Sequence, residues 1–435
     1  LLVGLPIWKS ATFSVRLLVL LVYADKYRQE VPFNFVNERM GMLDTVRIND
    51  WVRLDFELRG KKKQKESVFA LAKTVRKLSN SFGRVAVNFG EAIPLADVLD
   101  NVHESWRDEA YDAEYRPPWL NQAVDELALK VASNINASVA VNPSGITATV
   151  LLGTDRLAMD EHQLIRLMDQ YAGLLKAYPY AETVTLPEGS GKDWVAYCES
   201  MGLVARQPQK LGDIIALEGS NATLMTYYRN NIQHLFALPS LIASLFENKD
   251  TLRRERVVFL ASVAYPYLQS ELFLKYQADE AEQVINDWIN VLIEQGLLEE
   301  LDDDRIGRPE EGTEAIMRLR VLSRFIIQTR ERYHIALGIL RKYGSGKLSA
   351  AELEEQSTLL AERMSILFGL NAPEFFDKSL FRNFIANLQK NGVITTEENG
   401  LICYGEGLDE VAEDARLVLS VEKRQAIQQV TMLGA

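Results

Sequence analysis

Arg116-Pro117-Pro118-Trp119-Leu120 divides this chain into two unlike parts. Two adjacent prolines remove two backbone donors and bar the helical region for the residue before each, so no helix can run across 115–117. Beyond this point apolar residues recur at three and four for long stretches, the period of helices with one buried face. Residues 120–136 carry Val124, Leu127, Leu129 and Val131, and residues 160–177 carry Leu164, Leu167, Met168, Tyr171, Leu174 and Leu175. Residues 222–246 are apolar with an interruption at Pro239, which predicts a kinked buried helix or two abutting ones.

Before the prolines the pattern is shorter and mixed. Residues 1–56 show no clear period. Val68, Leu71, Val75 and Leu78 predict a helix from Ser67, ended by Ser79-Asn80-Ser81 and Gly83. Arg84-Val85-Ala86-Val87-Asn88-Phe89 is β-branched and short, so it reads as a strand closed by Gly90-Glu91. A short helix to Leu99 follows. This alternation is that of the end of an α/β unit. The expected fold is mainly α with a small α/β remnant, divided as 1–56 (unassigned), 57–119 (edge of an α/β domain) and 120–435 (helical domain).

Two later segments share one shape. Residues 284–298 form a helix stopped by Gly296 and followed by Leu297-Leu298; residues 381–394 form another, stopped by Gly392 and followed by Val393-Ile394. Glycine suits the left-handed position just past a helix end. Polar turns at Asp302-Asp303-Asp304 and Glu397-Glu398-Asn399-Gly400 then predict a two-stranded hairpin in each. Helix, glycine, strand, turn, strand is the shape of a winged helix.

Charge restricts the partners. Lys+Arg is 48 and Asp+Glu 60, a net charge of −12, which disfavours whole-surface contact with nucleic acid or anionic lipid. The exception is local. Between Glu57 and Arg84 stand Arg59, Lys61, Lys62, Lys63, Lys65, Lys73, Arg76, Lys77 and Arg84 against Glu57 and Glu66, a net +7. That stretch is either a solvated loop or an anion site, where cations beside a helix start attract phosphate. Cys198 and Cys403 make no disulfide framework and suggest a reducing compartment. The apolar run 17–23 is too short for a membrane span. Because the chain begins with Leu, the expected reading is a fragment whose start lies upstream.

Catalytic motifs are sparse. His103-Glu104-Ser105-Trp106-Arg107-Asp108 is an H-x-x-x-x-D pattern, in which a carboxylate could orient an imidazole base; a surface helix is the favoured reading. His162, His234 and His334 are isolated, with helix packing or capping as the default. No metal-ligand spacing, phosphate loop or G-x-S-x-G elbow occurs. Thr226-Tyr227-Tyr228-Arg229-Asn230-Asn231-Ile232 sets polar groups in an apolar stretch. It is either a structural hydrogen-bond node or a ligand wall.

Several of these segments together resemble the bacterial membrane-bound glycerol-3-phosphate acyltransferase family, from Glu57 to about Leu419. They are Glu57-Leu58-x-Gly60-x-x-Lys63-x-Lys65-Glu66-Ser67, Val87-Asn88-Phe89-Gly90-Glu91, Arg116-Pro117-x-Trp119-Leu120, Gly212-Asp213-Ile214-Ile215, Leu224 through Ile232, Leu238-Pro239-Ser240-Leu241 and Asn371-Ala372-Pro373-Glu374-Phe375-Phe376-Asp377-Lys378. The resemblance implies acyl transfer from acyl-CoA or acyl-carrier protein to the 1-hydroxyl of glycerol 3-phosphate, giving lysophosphatidate. No further cofactor is implied. It implies peripheral contact with membrane lipid at the cytoplasmic face of the inner membrane, and no nucleic acid. Lys63 and Lys65, with Arg59, become the expected phosphate contacts. The family's catalytic H-x-x-x-x-D, G-G-R-S and P-x-x-x-G-Y-E blocks precede the Glu57 motif, and residues 1–56 contain none of them. Catalysis is therefore not transferred to His103 and Asp108, and the chain alone is expected to be inactive. The rival reading is a winged-helix DNA- or partner-binding protein, whose reader helix would be 381–390 with Arg382 and Lys390.

Overall fold

The computed structural model describes residues 36–39, 86–109, 117–154, 156–218, 221–368 and 373–433. The short strands β1 (Val36–Arg39) and β2 (Ala86–Phe89) pair antiparallel. Helix α1 (Leu95–Val102), a 3₁₀ turn at Glu104–Arg107 and α2 (Leu120–Ala137) follow. Leu99, Trp106, Leu120 and Ala123 form a small core between them. The expected strand is described from Ala86 to Phe89, Arg84 and Val85 lying outside the described residues, and the helix after it runs three residues further than expected, to Val102.

From there one six-element order, helix, strand, helix, helix, strand, strand, occurs twice, and a third time with an isolated bridge in place of the first strand. The first copy is α3 (Pro143–Leu152), β3 (Ala158–Asp160), α4 (Glu161–Ala177), α5 (Gly191–Ser200), β4 (Ala205–Gln207) and β5 (Ile214–Ala216). Helix α6 (Asn221–Asn230) links it to the second: α7 (Ala237–Leu245), β6 (Thr251–Arg253), α8 (Arg254–Leu272), α9 (Ala278–Glu294), β7 (Glu299–Leu301) and β8 (Arg305–Gly307). Helix α10 (Glu314–Ser323) leads to the third: α11 (Ile327–Tyr343), an isolated bridge at Ser349, α12 (Ala350–Phe368), α13 (Lys378–Lys390), β9 (Thr395–Thr396) and β10 (Ile402–Cys403). Helices α14 (Glu406–Leu417) and α15 (Val421–Leu433) close the chain, packed on α11.

The sheets repeat as well. Their orders are β3-β5-β4 and β6-β8-β7, so in each the last strand lies between the other two. In the third copy Ser349 bridges Leu401, beside the β9–β10 pair. Each third helix ends the same way. Gly202, Gly296 and Gly392 take φ of +66°, +66° and +70°. The next N–H then reaches back five residues: Leu203 to Cys198 at 2.9 Å, Leu297 to Leu292 at 2.8 Å and Val393 to Leu388 at 2.9 Å. A side chain at these glycines would strain the left-handed turn, so the sequence reserves them for residues without Cβ.

The expected break at Pro239 lies elsewhere. Helix α6 ends at Asn230, a 3₁₀ turn covers Gln233–Phe236, and Pro239 sits in the first turn of α7. There its missing N–H has no intrahelical partner to lose. One core joins the first two copies, from Val139 to Ile326, with Tyr171, Phe236 and Phe325 packed edge to face. A second gathers around α11, α12 and α13. No helix among the described residues is long and apolar enough to cross a membrane.

Candidate functional site

Lys63, Lys65 and Arg59 lie outside the described residues, as does the helix expected from Ser67. His103 and Asp108 lie inside them, and they are not brought together. His103 caps the end of α1, and its Nε2 pairs with Glu109 Oε1 at 2.7 Å and Ser105 Oγ at 3.2 Å. Its ring stacks on Trp119 at 5.4 Å. The hydrogen bonds from His103 and Trp119 hold the Glu109 carboxyl below the usual range. This is an exposed polar clasp over a helix end, consistent with the surface reading. Trp106, buried beneath it, donates to Asp100 at 2.8 Å.

The segments that carry the resemblance behave differently: in the described residues they meet one another or pin neighbouring elements. Asn88 of β2 donates to Thr183 O at 3.2 Å and to Thr185 Oγ1 at 3.0 Å, while Asn134 donates to Glu91 O at 2.8 Å. A Cβ on Gly90 would come within 2.7 Å of Ser138 Oγ. The strand is thus seated on the end of α2. Asp213 and Glu161 hold Arg206 from across the first sheet, with Glu199 as a third carboxylate, all at 2.7 to 2.9 Å. Those hydrogen bonds lower the pKa of Glu161 and Asp213.

Arg229 resolves the alternative left open for residues 226–232. It is 5% exposed, on the last turn of α6. Its Nη2 donates to Glu374 Oε1 at 2.7 Å, to Asn230 Oδ1 at 2.8 Å and to Gln328 Oε1 at 3.0 Å, and Asn230 Nδ2 also reaches Glu374 at 3.1 Å. Two motifs about 145 residues apart in the chain therefore share one ion pair, buried on the arginine side and partly exposed at Glu374. Glu374 opens into Asp377, whose side chain caps α13 by accepting from Ser379 N at 2.8 Å. Nearby, Arg332 pairs with Glu271, both almost wholly buried, and Thr329 Oγ1 donates to Glu271 at 2.7 Å. Burial pulls the Arg229 pKa down, opposed by Glu374. The segment is a structural node. Arg229 stood out in an apolar stretch; Glu271 and Arg332 gave no sequence signal, because their partners come from different helices.

Among the described residues, no group of three His, Cys, Asp or Glu side chains could hold a metal ion. Cys198 is buried beside Thr147, and burial pushes its thiol up to about 11, far from a reactive thiolate. The DNA-reader alternative is not favoured. Helix α9 offers no Arg or Lys, and Arg382 on α13 is held by both Glu354 oxygens at 2.7 and 2.8 Å.

Fold and site together define a helical packing module whose strongest polar side chains are engaged with each other. A family model described as "Glycerol-3-phosphate acyltransferase C-terminal region" matches residues 56–397, and the chain belongs to that family. It is similar to proteins named glycerol-3-phosphate acyltransferase from Pseudomonas fluorescens (44% identical), Ectopseudomonas mendocina (43%) and Pseudomonas paraeruginosa (46%). Each match covers 377 residues and 86% of this chain, but only 45–46% of the relative. The chain spans less than half the length of the curated relatives it matches.

Proposed function

We propose that this chain serves as the C-terminal region of a glycerol-3-phosphate 1-O-acyltransferase, which moves an acyl group from acyl-CoA or acyl-carrier protein to glycerol 3-phosphate and yields lysophosphatidate, the first step of phospholipid synthesis. The observation that carries this reading is the family match over residues 56–397. The ion pair between Arg229 and Glu374 supports it, because it joins two segments of the resemblance that no local constraint would place together. The enzyme works at the cytoplasmic face of the inner membrane in this reading, in peripheral contact with lipid.

The chain alone supplies structure and phosphate contacts, and no catalytic base. An acyl transfer to a hydroxyl needs a base within hydrogen-bond reach of that proton. His103, the only histidine in an H-x-x-x-x-D pattern, is bound to Glu109 and stacked on Trp119. The basic segment at Arg59, Lys63 and Lys65 supplies the phosphate contacts.

A chimera tests this. The Pseudomonas fluorescens relative, with its matching region replaced by residues 57–435, should acylate glycerol 3-phosphate, whereas the 435-residue chain alone should not. A folded but inactive chimera would refute the reading. So would turnover by the chain alone that His103→Ala abolishes.

A further inference from the structure

We propose that Asn399-Gly400, in the turn between β9 and β10, is a site of spontaneous deamidation, where the side-chain amide gives way to an aspartyl or isoaspartyl link. The sequence holds two Asn-Gly pairs, Asn391-Gly392 and Asn399-Gly400. An asparagine followed by glycine is open to this reaction because no Cβ on the next residue shields its backbone nitrogen. That nitrogen attacks Cγ of the asparagine, and a five-membered imide forms. The bond from Cγ to the amide nitrogen breaks, and ammonia leaves with the proton that the glycine nitrogen gives up. Water then opens the imide at either carbonyl, giving aspartate or isoaspartate. Water is the only co-reactant, so the surroundings of each pair set its rate.

Asn391-Gly392 is held shut. It closes α13: Asn391 N donates to Asn387 O at 2.9 Å, Gly392 N to Gln389 O at 3.0 Å and Val393 N to Leu388 O at 2.9 Å. The Asn391 side chain hydrogen-bonds the Tyr267 hydroxyl. Leu388 and Ile394 on either side are buried, so freeing Gly392 N means lifting the helix end off its core. The second pair has no such cover. Residues 395–400 are all exposed, and β9 and β10 are two residues each. Gly400 N donates to Glu397 O at 2.9 Å, within the turn itself. Opening such a turn locally costs far less than lifting a packed helix end. The Asn399 amide is also oriented for attack. Its Oδ1 accepts from Leu401 N at 2.9 Å, which curls the side chain across the Gly400 peptide. The same N–H faces the oxygen on which negative charge gathers as Cγ becomes tetrahedral. Nδ2, the leaving nitrogen, donates to Glu397 Oε2 at 3.1 Å.

Both products disturb the hairpin. Aspartate sets a carboxylate beside Glu397 and Glu398 and removes the donor to Glu397. Isoaspartate carries the main chain through Cβ, one carbon longer, and breaks the turn held by Leu401 N. Leu401 is the residue that bridges Ser349. Its neighbour Ile402 donates from N to Leu348 O at 2.7 Å and accepts from Gly346 N at 2.8 Å. The modification therefore loosens the third sheet while the helices stay packed. The matching turns of the earlier copies, residues 208–213 and Asp302-Asp303-Asp304, carry no Asn-Gly pair, so the third sheet alone is marked.

The test is ageing of the intact chain in mildly alkaline buffer, then cleavage after glutamate, which separates Asn391 from Asn399. The peptide with Asn399 should gain about 1 Da and accept a methyl group from S-adenosylmethionine in an isoaspartyl methyltransferase assay. It should do so at least about tenfold faster than the peptide with Asn391. In urea the two sites should react at similar rates, since the fold is what separates them. Asn399→Gln should abolish the gain at this site and leave circular dichroism unchanged, because glutamine would have to close a slower six-membered ring. Hydrogen exchange at Leu401 and Ile402 should quicken on ageing in the parent and not in Asn399→Gln. Equal rates at the two sites in the folded chain, a faster Asn391, or no gain at Asn399 overturns the proposal. Exchange that does not quicken overturns the loosening of the sheet.

Discussion

His334 sits on α11, largely buried, facing Arg424 and Arg416 from the closing helices and Arg341 from its own. Burial and then those three cations lower its pKa from 6.5 to about 4. Between pH 6.5 and 4 the unfolded chain takes a proton there that the folded chain refuses. Stability contributed at this position is therefore full above pH 6.5 and falls as pH drops toward 4. His334→Gln should remove that part of the acid sensitivity: the stability gap between variant and parent should shift by about 2–3 kcal/mol over this window in urea titrations. An unchanged gap would mean the imidazole is freely hydrated. Lys63 and Lys65 are the second residue-scale case. In the chimera, Lys63→Ala or Lys65→Ala should raise KM for glycerol 3-phosphate or acyl-CoA roughly tenfold, since a charge-assisted phosphate contact contributes about 1–3 kcal/mol. Lys61→Ala and Lys62→Ala should do less; equal small effects at all four would indicate a diffuse basic patch.

Two glycines separate the reasons an element needs one. Gly296 ends α9 at φ +66°, and nothing lies within 4 Å of where its Cβ would be. Gly296→Ala should therefore cost only the left-handed strain, about 1 kcal/mol, and Gly296→Asn less. Gly191 begins α5 with Ile165 O only 2.6 Å from a Cβ. Backbone cannot yield as a side chain can, so Gly191→Ala should lower the melting temperature more than Gly296→Ala. The reverse order would show that α4 and α5 slide apart easily. The glycine stops at 296 and 392 were legible because each precedes an apolar pair and a compact polar turn. The one at Gly202 lacks that compact turn. Residues 208–213 form a longer loop before β5, which hides the hairpin that completes the pattern.

Across the whole molecule, the second and third copies are coupled through α8 and α11 by the buried Glu271–Arg332 pair. Removing one member of such a pair leaves an uncompensated buried charge and costs about 3–5 kcal/mol. Glu271→Ala should therefore do more than lower stability: calorimetry should resolve two transitions, one for each of the two larger apolar cores, where the parent shows one. A single, uniformly shifted transition would mean the apolar contacts alone carry the coupling. Glu271→Gln keeps the acceptor for Thr329 and should fall between the two.

Local periodicity alone determined that the region beyond Leu120 is mainly helical, where α2, α4, α9 and α13 run, and where two of three glycine stops fall. These are properties of neighbours three or four residues apart, which a linear pattern records. The resemblance added the family and the expected phosphate contacts at Lys63, Lys65 and Arg59. Only the tertiary structure decided that His103 turns to Glu109 instead of Asp108. It alone joined Arg229 to Glu374, and it alone showed that the break before α7 precedes Pro239. Each depends on which side chains arrive from distant elements, and burial makes those choices binding, because a buried charge or donor without a partner is costly.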